Sequence, residues 1–160
     1  MLLWFAGLAL VLVWQVFRSP ALDHRLVVAG ALLPLIEGLL GGPRMLHTLL
    51  GSVAVLMIVM LATRSRRVVR RRWLGLPIGL LLHLVLDGAW MRTELFWWPF
   101  FGLDFAGGGL PELQRGGFGI LMELAGAVAL WVSWRRFGLG DPVRRSEFLR
   151  TGRVDRDLVA

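Results

Sequence analysis

Five long apolar runs separate the charged residues of this chain, and this segregation constrains the fold more than any other feature. The runs cover residues 1–17, 26–40, 45–63, 73–90 and 118–134. A transmembrane helix needs about 20 mainly apolar residues, with a range of about 17–25, and four runs reach or approach that length. The 160-residue chain is 56% hydrophobic, whereas soluble domains average about 45–50%. The sequence therefore predicts an all-α integral membrane protein with about five transmembrane helices.

The arginines predict how these helices are oriented. They cluster between runs one and two, between runs three and four, and after run five. A five-pass topology puts these segments on one side, and basic residues are enriched on the cytoplasmic side. We therefore expect a multi-pass protein of the cell (inner or plasma) membrane, with its N-terminus outside and its C-terminus in the cytoplasm. A transmembrane domain is expected over residues 1–137. Residues 138–160, in which acidic and basic residues alternate, are expected to form a partly disordered cytoplasmic tail.

Composition also excludes several classes of function. The chain has no cysteine, so disulfides, thiolate metal sites and thiol nucleophiles are ruled out. The net charge of +7 is explained by the arginines beside the apolar runs, and no nucleic-acid-binding motif accompanies it. The expected partner is therefore the lipid bilayer and not nucleic acid. Within the runs, Pro34 predicts a kink or tilt, and the Gly75/Gly79 spacing predicts close helix packing.

Two ionisable residues, His83 and Asp87, interrupt the fourth apolar run at a spacing of four. This spacing places both side chains on one face of a helix. A charged group in the hydrocarbon core costs at least about 2.5–3.5 kcal/mol, and such groups normally face the bundle interior and pair with one another. The sequence therefore predicts partners for both residues on neighbouring helices.

The depths of the other polar residues suggest those partners. At a rise of 1.5 Å per residue, five side chains lie within about 3–10 Å of the outer ends of their helices: Glu37, His47, His83, Asp87 and Glu123. All five fall in the outer half of a hydrocarbon core about 30 Å thick. The sequence thus predicts a polar cluster beneath the external face. Asp23 and His24 fall on the cytoplasmic link, where we expect a structural role.

Two interpretations of this cluster remain open from the residues alone. Two histidines with up to three carboxylates suit a divalent metal of the zinc, manganese or iron type. A cation would also neutralise buried acids, although Arg44 or Arg92 at the rim can neutralise one of them. The second interpretation is a hydrogen-bond network that ties the helices together.

Several motifs resemble those of the YdjM-type membrane-bound metal-dependent hydrolases. That family shows a Pro-Asp-x-Asp-His segment, a Thr-His-Ser segment, and a Gly-x-x-x-His-x-x-x-Asp helix followed by Trp-Pro. The matching segments here are "PLIEG" (34–38), "RMLHTLL" (44–50) and "GLLLHLVLDGAW…WWPF" (79–100). In the first segment, Leu35, Glu37 and Gly38 depart from the family residues. More distantly, the histidine, the aspartate and the downstream proline are similar to those of bacterial zinc-dependent phospholipase C.

The resemblance implies a membrane-bound metal-dependent hydrolase that acts on a phosphoester or a lipid head group. A divalent ion, zinc or manganese, would be held by His47, His83 and Asp87. Glu37 would be a fourth metal ligand or the catalytic general base, and Glu123 would lie in the second shell and orient a histidine. The alternative is a small non-catalytic membrane scaffold or binding protein whose buried cluster is structural.

Overall fold

The computed structural model describes residues 1–102 and 116–155, and all regular structure in those ranges is helical. The α-helices are α1 (Leu2–Phe17), α2 (His24–Leu32), α3 (Leu49–Ala62), α4 (Arg67–Trp73), α5 (Gly75–Asp87), α6 (Thr93–Phe96), α7 (Gly116–Arg136) and α8 (Pro142–Thr151). Short 3-10 segments cover Leu33–Leu40, Met45–His47 and Ala89–Met91. The prediction of an all-α protein is confirmed for this part of the chain.

Each predicted apolar run largely coincides with one helix or its start, namely α1, α2, α3, α5 and α7 in order. In the described residues, α7 alone is long and apolar enough, at 21 residues, to cross a membrane by length and composition. The second run changes from α-helix to 3-10 helix next to Pro34. Proline has no N–H to donate, so the α-helical hydrogen-bond pattern does not continue through it. The structure therefore contains the irregularity that the sequence predicted there.

The helices pack in the order α7, α1, α2, α5, α3, so that α1, α2 and α5 are covered on both sides. The main core lies between α1 and α2 and contains Phe5, Ala9, Val13, Val27 and Ala31. Large apolar side chains are instead exposed on the two outer helices, α3 and α7. The core therefore holds the central helices together, while the outer faces of the bundle remain apolar.

Close backbone crossings hold α2 against α5. A Cβ atom on Gly79 would overlap the carbonyl oxygen of Val27, and one on Gly30 would overlap that of Leu76. A Cβ on Gly75 would lie 2.6 Å from the Asp23 carbonyl oxygen. Any larger residue would push the two backbones apart. The close packing predicted from the Gly75/Gly79 spacing is therefore confirmed.

In place of the expected partly disordered tail, residues 138–155 contain the helix α8 and pack on the bundle. α8 begins after Asp141, whose carboxylate accepts a 2.7 Å hydrogen bond from the backbone N–H of Val143. The buried apolar residues around this helix are Leu10, Trp14, Phe137, Leu139 and Val154. Most residues of α8 are polar or charged, so the sequence pattern did not indicate that these few apolar residues would pack on the bundle. Residues 156–160 of the expected tail lie outside the described part of the chain.

The tail is joined to the start of α2 by His24 and its neighbours. The backbone N–H and Nδ1 of His24 both donate to the Gly152 carbonyl oxygen, at 2.8 and 3.2 Å. Asp23 accepts hydrogen bonds from the guanidinium groups of Arg25 and Arg72, each at 2.9 Å. Burial alone would raise the pKa of Asp23, but these bonds outweigh it and hold the pKa below its usual value. Both residues therefore have the structural role expected of them.

We expect Gly79→Ala to destabilise the protein by about 1–3 kcal/mol, because its Cβ would force the α2 and α5 backbones apart. The measurement is the melting temperature of the purified protein in detergent. Gly119→Ala is the matched control, since a Cβ at Gly119 in α7 meets no atom of the described residues within 4 Å. The control should be neutral or slightly stabilising, because alanine favours helix over glycine. Equal losses in both variants would contradict the close crossing.

A second prediction concerns pH. Burial lowers the pKa of His24, against the raising effects of the Gly152 carbonyl and the Asp23 carboxylate. A group whose pKa is lower in the folded state stabilises the fold fully above its unfolded pKa of about 6.5 and loses that contribution as pH falls below it. The melting temperature should therefore fall from pH 7.5 to pH 5.5. It should fall less in His24→Gln, and an unchanged pH profile in this variant would contradict the assignment.

Candidate metal centre

Two buried histidines from different parts of the chain meet inside the bundle. His47 ends the 3-10 segment Met45–His47 before α3, and His83 lies in the middle of α5. Both side chains are fully buried, and their ring centroids lie 5.3 Å apart with the ring planes at 85°. The sequence grouped these residues by their depth alone. The structure brings them into direct contact, edge to face.

Glu37 holds His47 in place. Its Oε2 atom lies 2.7 Å from His47 Nδ1 and also accepts a 2.7 Å hydrogen bond from the backbone N–H of Arg44. Its Oε1 atom accepts a 2.8 Å hydrogen bond from the backbone N–H of Leu46. The carboxylate thus caps the turn that carries His47 and receives the ring's Nδ1–H. In the neutral ring, the lone pair is then on Nε2.

A backbone carbonyl fixes His83 in the same tautomer. His83 Nδ1 lies 2.7 Å from the carbonyl oxygen of Ala31, which only accepts, so Nδ1 is the protonated nitrogen. Pro34 lies three residues after Ala31 and has no N–H, so a 3-10 hydrogen bond to this carbonyl is missing. The ring also stacks on Phe5 of α1, with centroids 4.0 Å apart and planes at 23°. Helices α1 and α2 therefore both orient His83.

Asp87 lies one helical turn after His83, at the last position of α5, and its carboxylate is fully buried. It forms an ion pair with the guanidinium of Arg92, just beyond the 3-10 segment Ala89–Met91. A buried carboxylate needs such a compensating charge. Of the two rim arginines proposed from the sequence as neutralising partners, Arg92 is the one that pairs with Asp87.

Glu123 belongs to α7, and its side chain lies beside the amino end of α1. Its Oε1 atom is 2.9 Å from the amino group of Met1, and its Oε2 accepts a 2.8 Å hydrogen bond from the backbone N–H of Leu3. These are favourable contacts, because a helix N-terminus attracts negative charge. In the described part of the chain, Glu123 has no hydrogen bond to a histidine. Its predicted second-shell role is thus not supported by its contacts there.

The centroid separation of the histidine pair is close to that of two imidazoles that share one ion. With Zn–N bonds of about 2.0–2.1 Å in a tetrahedral arrangement, two imidazole centroids should be about 5 Å apart. The separation here is 5.3 Å. Residues 1–102 and 116–155 contain no group of three His, Cys, Asp or Glu side chains placed to hold a metal ion. In the described residues the histidine pair is therefore not joined by a third ligand, and the carboxylates of Glu37 and Asp87 are engaged with His47 and Arg92.

Sequence reasoning missed three contributors to this site, namely Phe5, the Ala31 carbonyl and the orienting contact of Glu37. The signal for the carbonyl was Pro34, which sits three residues after Ala31 in an otherwise continuous apolar run. Phe5 gave no signal, because an aromatic residue in an apolar helix is ordinary. The contact of Glu37 depends on the turn over residues 41–48, whose shape the apolar pattern does not specify.

Comparison with known proteins adds no relative. No protein-family model, curated protein or solved structure matches the chain. The resemblance to YdjM-type hydrolases therefore depends on the motif residues alone, of which Glu37, His47 and His83 are in contact in pairs here, and Asp87 lies one turn after His83.

Proposed function

We propose that this chain is a multi-pass protein of the cell (inner or plasma) membrane and a metal-dependent hydrolase. The ion, zinc or manganese, is held by His47, His83 and Asp87, and the substrate is a phosphoester or a lipid head group. The observation that carries the proposal is the buried histidine pair, in which each Nδ1 is fixed by an acceptor. Carboxylate or carbonyl acceptors on the second ring nitrogen are typical of metal-binding histidines.

The exposed apolar surface supports the membrane location. α7 is apolar, yet most of its large side chains are exposed, including Ile120 (66%) and Leu121 (61%). α3 has the same character, with Ile58 at 64% and Leu61 at 65%. Soluble monomers rarely expose contiguous apolar patches larger than a few hundred Å². Lipid contact would cover both outer faces of the bundle.

The shorter helices are compatible with further crossings. α2 and the 3-10 segment Leu33–Leu40 follow each other along the chain without a gap. From residue 26, past the link that carries His24, to residue 40, rises of 1.5 and 2.0 Å per residue sum to about 26 Å, close to the thickness of the hydrocarbon core. The 3-10 segment contributes more length than an α-helix of the same residues, because its rise per residue is larger. This supports a crossing by the second run, and the five-pass arrangement is part of the proposal.

Each residue of the site then has a defined task. His47 and His83 bind the ion through Nε2, and Asp87 contributes the anionic ligand. Both Glu37 oxygens already accept hydrogen bonds, so we assign Glu37 to positioning His47 in place of direct ligation or general-base catalysis. When bound, the ion supplies Lewis-acid polarisation of the scissile group and hydroxide at neutral pH. Arg92 compensates the charge of Asp87 when no cation is bound.

The topology is tested with reporters that are active on only one side of the membrane. Fusions after residue 65 and at the C-terminus should report the cytoplasm, and a fusion after residue 105 should report the outside. The reason is the arginine distribution across the membrane. If the fusions after residues 65 and 105 report the same side, the five-pass arrangement is wrong.

The metal site is tested by elemental analysis of the detergent-purified protein. We expect about one zinc or manganese ion per chain, as in single-ion catalytic sites. The ion should be lost in His47→Gln and Asp87→Asn, since each removes a ligand. Glu37→Gln should lower metal affinity by about 10–100-fold, as for other changes of a ligand's supporting partner. Added metal should raise the melting temperature only where the site survives, because a ligand of the native state stabilises it.

Glu94→Gln is the matched control for the metal experiment. Glu94 is exposed on α6, so this variant removes one carboxylate charge without touching the cluster and should retain its metal. If Asp87→Asn keeps its metal, or if the wild-type protein holds none after loading with zinc or manganese, the metal proposal is overturned. A wild-type protein that holds no metal, together with an Asp87→Asn variant that is as stable as the wild type, would instead be the result expected of a structural hydrogen-bond network.

A further inference from the structure

A second candidate site lies at the other end of α5 from Asp87, where α1 passes into α2. It is a cavity of about 330 Å³ between the α1–α2 link, α4 and the end of α8. The described residues that line it are Pro20, Ala21, Val68, Arg71, Glu147, Arg153, Val154 and Asp155. Its volume is within the range of about 300–1,000 Å³ that small-molecule sites occupy. The residues proposed to hold the metal do not line it.

Charges of both signs face this cavity. Within residues 1–102 and 116–155, the side chains of Arg71, Arg153 and Glu147 have no hydrogen bond or ion pair. Asp155, by contrast, lies 3.2 Å from the guanidinium of Arg144. The cavity therefore presents two arginines and one carboxylate to a ligand. A ligand that carries both an anionic and a cationic group would complement all three.

The remaining lining is apolar and adjoins an apolar surface. Pro20, Ala21, Val68 and Val154 form the uncharged part of the cavity. Val68 is 71% exposed on α4, and Trp73, at the end of the same helix, is 44% exposed. α4 also carries four arginines, and a short helix with basic and apolar residues is typical of the membrane interface. An amphiphilic ligand would place its polar part in the cavity and its chain along α4.

We propose that this cavity binds the headgroup of a zwitterionic aminophospholipid, such as phosphatidylethanolamine, from the cytoplasmic leaflet. Arg71 and Arg153 hold the phosphodiester, and the Glu147 carboxylate accepts hydrogen bonds from the ammonium group. Guanidinium groups suit phosphate because they offer several donors in a fixed plane. The inference uses the membrane orientation of the proposed function but not its metal or its hydrolysis, and it concerns the opposite end of the bundle.

Native mass spectrometry of the full chain in detergent tests this inference. The probes are phosphatidylethanolamine, phosphatidylglycerol and phosphatidylcholine with identical acyl chains. We expect phosphatidylethanolamine to bind most tightly. Arg71→Gln and Arg153→Gln should each weaken its binding by about fivefold, which corresponds to one partly exposed charged contact. Glu147→Gln should weaken phosphatidylethanolamine binding without weakening that of phosphatidylglycerol.

Arg67→Gln and Arg150→Gln are the matched controls. They change the same charge on α4 and α8 but do not line the cavity, so phosphatidylethanolamine binding should be retained. Equal losses in the controls, or equal affinity of the wild-type chain for all three lipids, would overturn the proposal. Competition by water-soluble glycerophosphoethanolamine as strong as that by the lipid would also overturn it, because the acyl chains would then contribute nothing. Metal content is measured on the same samples, so a failure of lipid binding and a failure of metal binding are distinguished.

Discussion

The close crossing of α2 and α5 is the contact on which the candidate metal centre depends. Gly30 and Gly79 let the two backbones touch, and no side chain could be added at either position without separating them. That proximity brings the Ala31 carbonyl to 2.7 Å from His83 Nδ1. Pro34 leaves this carbonyl without a 3-10 partner, and a buried carbonyl needs one. The contact that packs α2 against α5 therefore also orients the His83 side chain.

Both buried acids of the site have partners that compensate their charge. Asp87 is neutralised by Arg92 next along the chain, and Glu37 is satisfied by two backbone N–H groups and the His47 ring. Both acids are therefore tolerated inside an apolar bundle, where an isolated carboxylate would take up a proton. The partners differ in kind, however. Glu37 is satisfied mainly by backbone groups of the turn before α3, whereas Asp87 pairs with a side chain that is partly exposed.

The sequence predicted the positions of the longer helices in the apolar runs well, because a long apolar run without turn residues favours a helix that buries one face. It also grouped His47 and His83 in one polar cluster, from their common position in the outer halves of their runs and from the motif resemblance, and the two rings are in contact in the structure. It misjudged residues 138–155, because a few apolar anchors such as Leu139 and Val154 decide whether a charged segment packs. Glu123 contacts the start of α1 and no described histidine, because depth along a helix does not specify which neighbour a side chain faces.

The contacts of the two histidines show how a buried imidazole is oriented in an apolar bundle. Each ring has its Nδ1 bound to an acceptor, on Glu37 for His47 and on Ala31 for His83, so in the neutral ring the lone pair is on Nε2. These acceptors come from two different segments, a carboxylate that also caps the turn before α3 and a carbonyl at the end of α2. Because each acceptor is tied to the backbone of its own segment, the orientation of both rings, and with it their edge-to-face contact, follows from the way these segments pack.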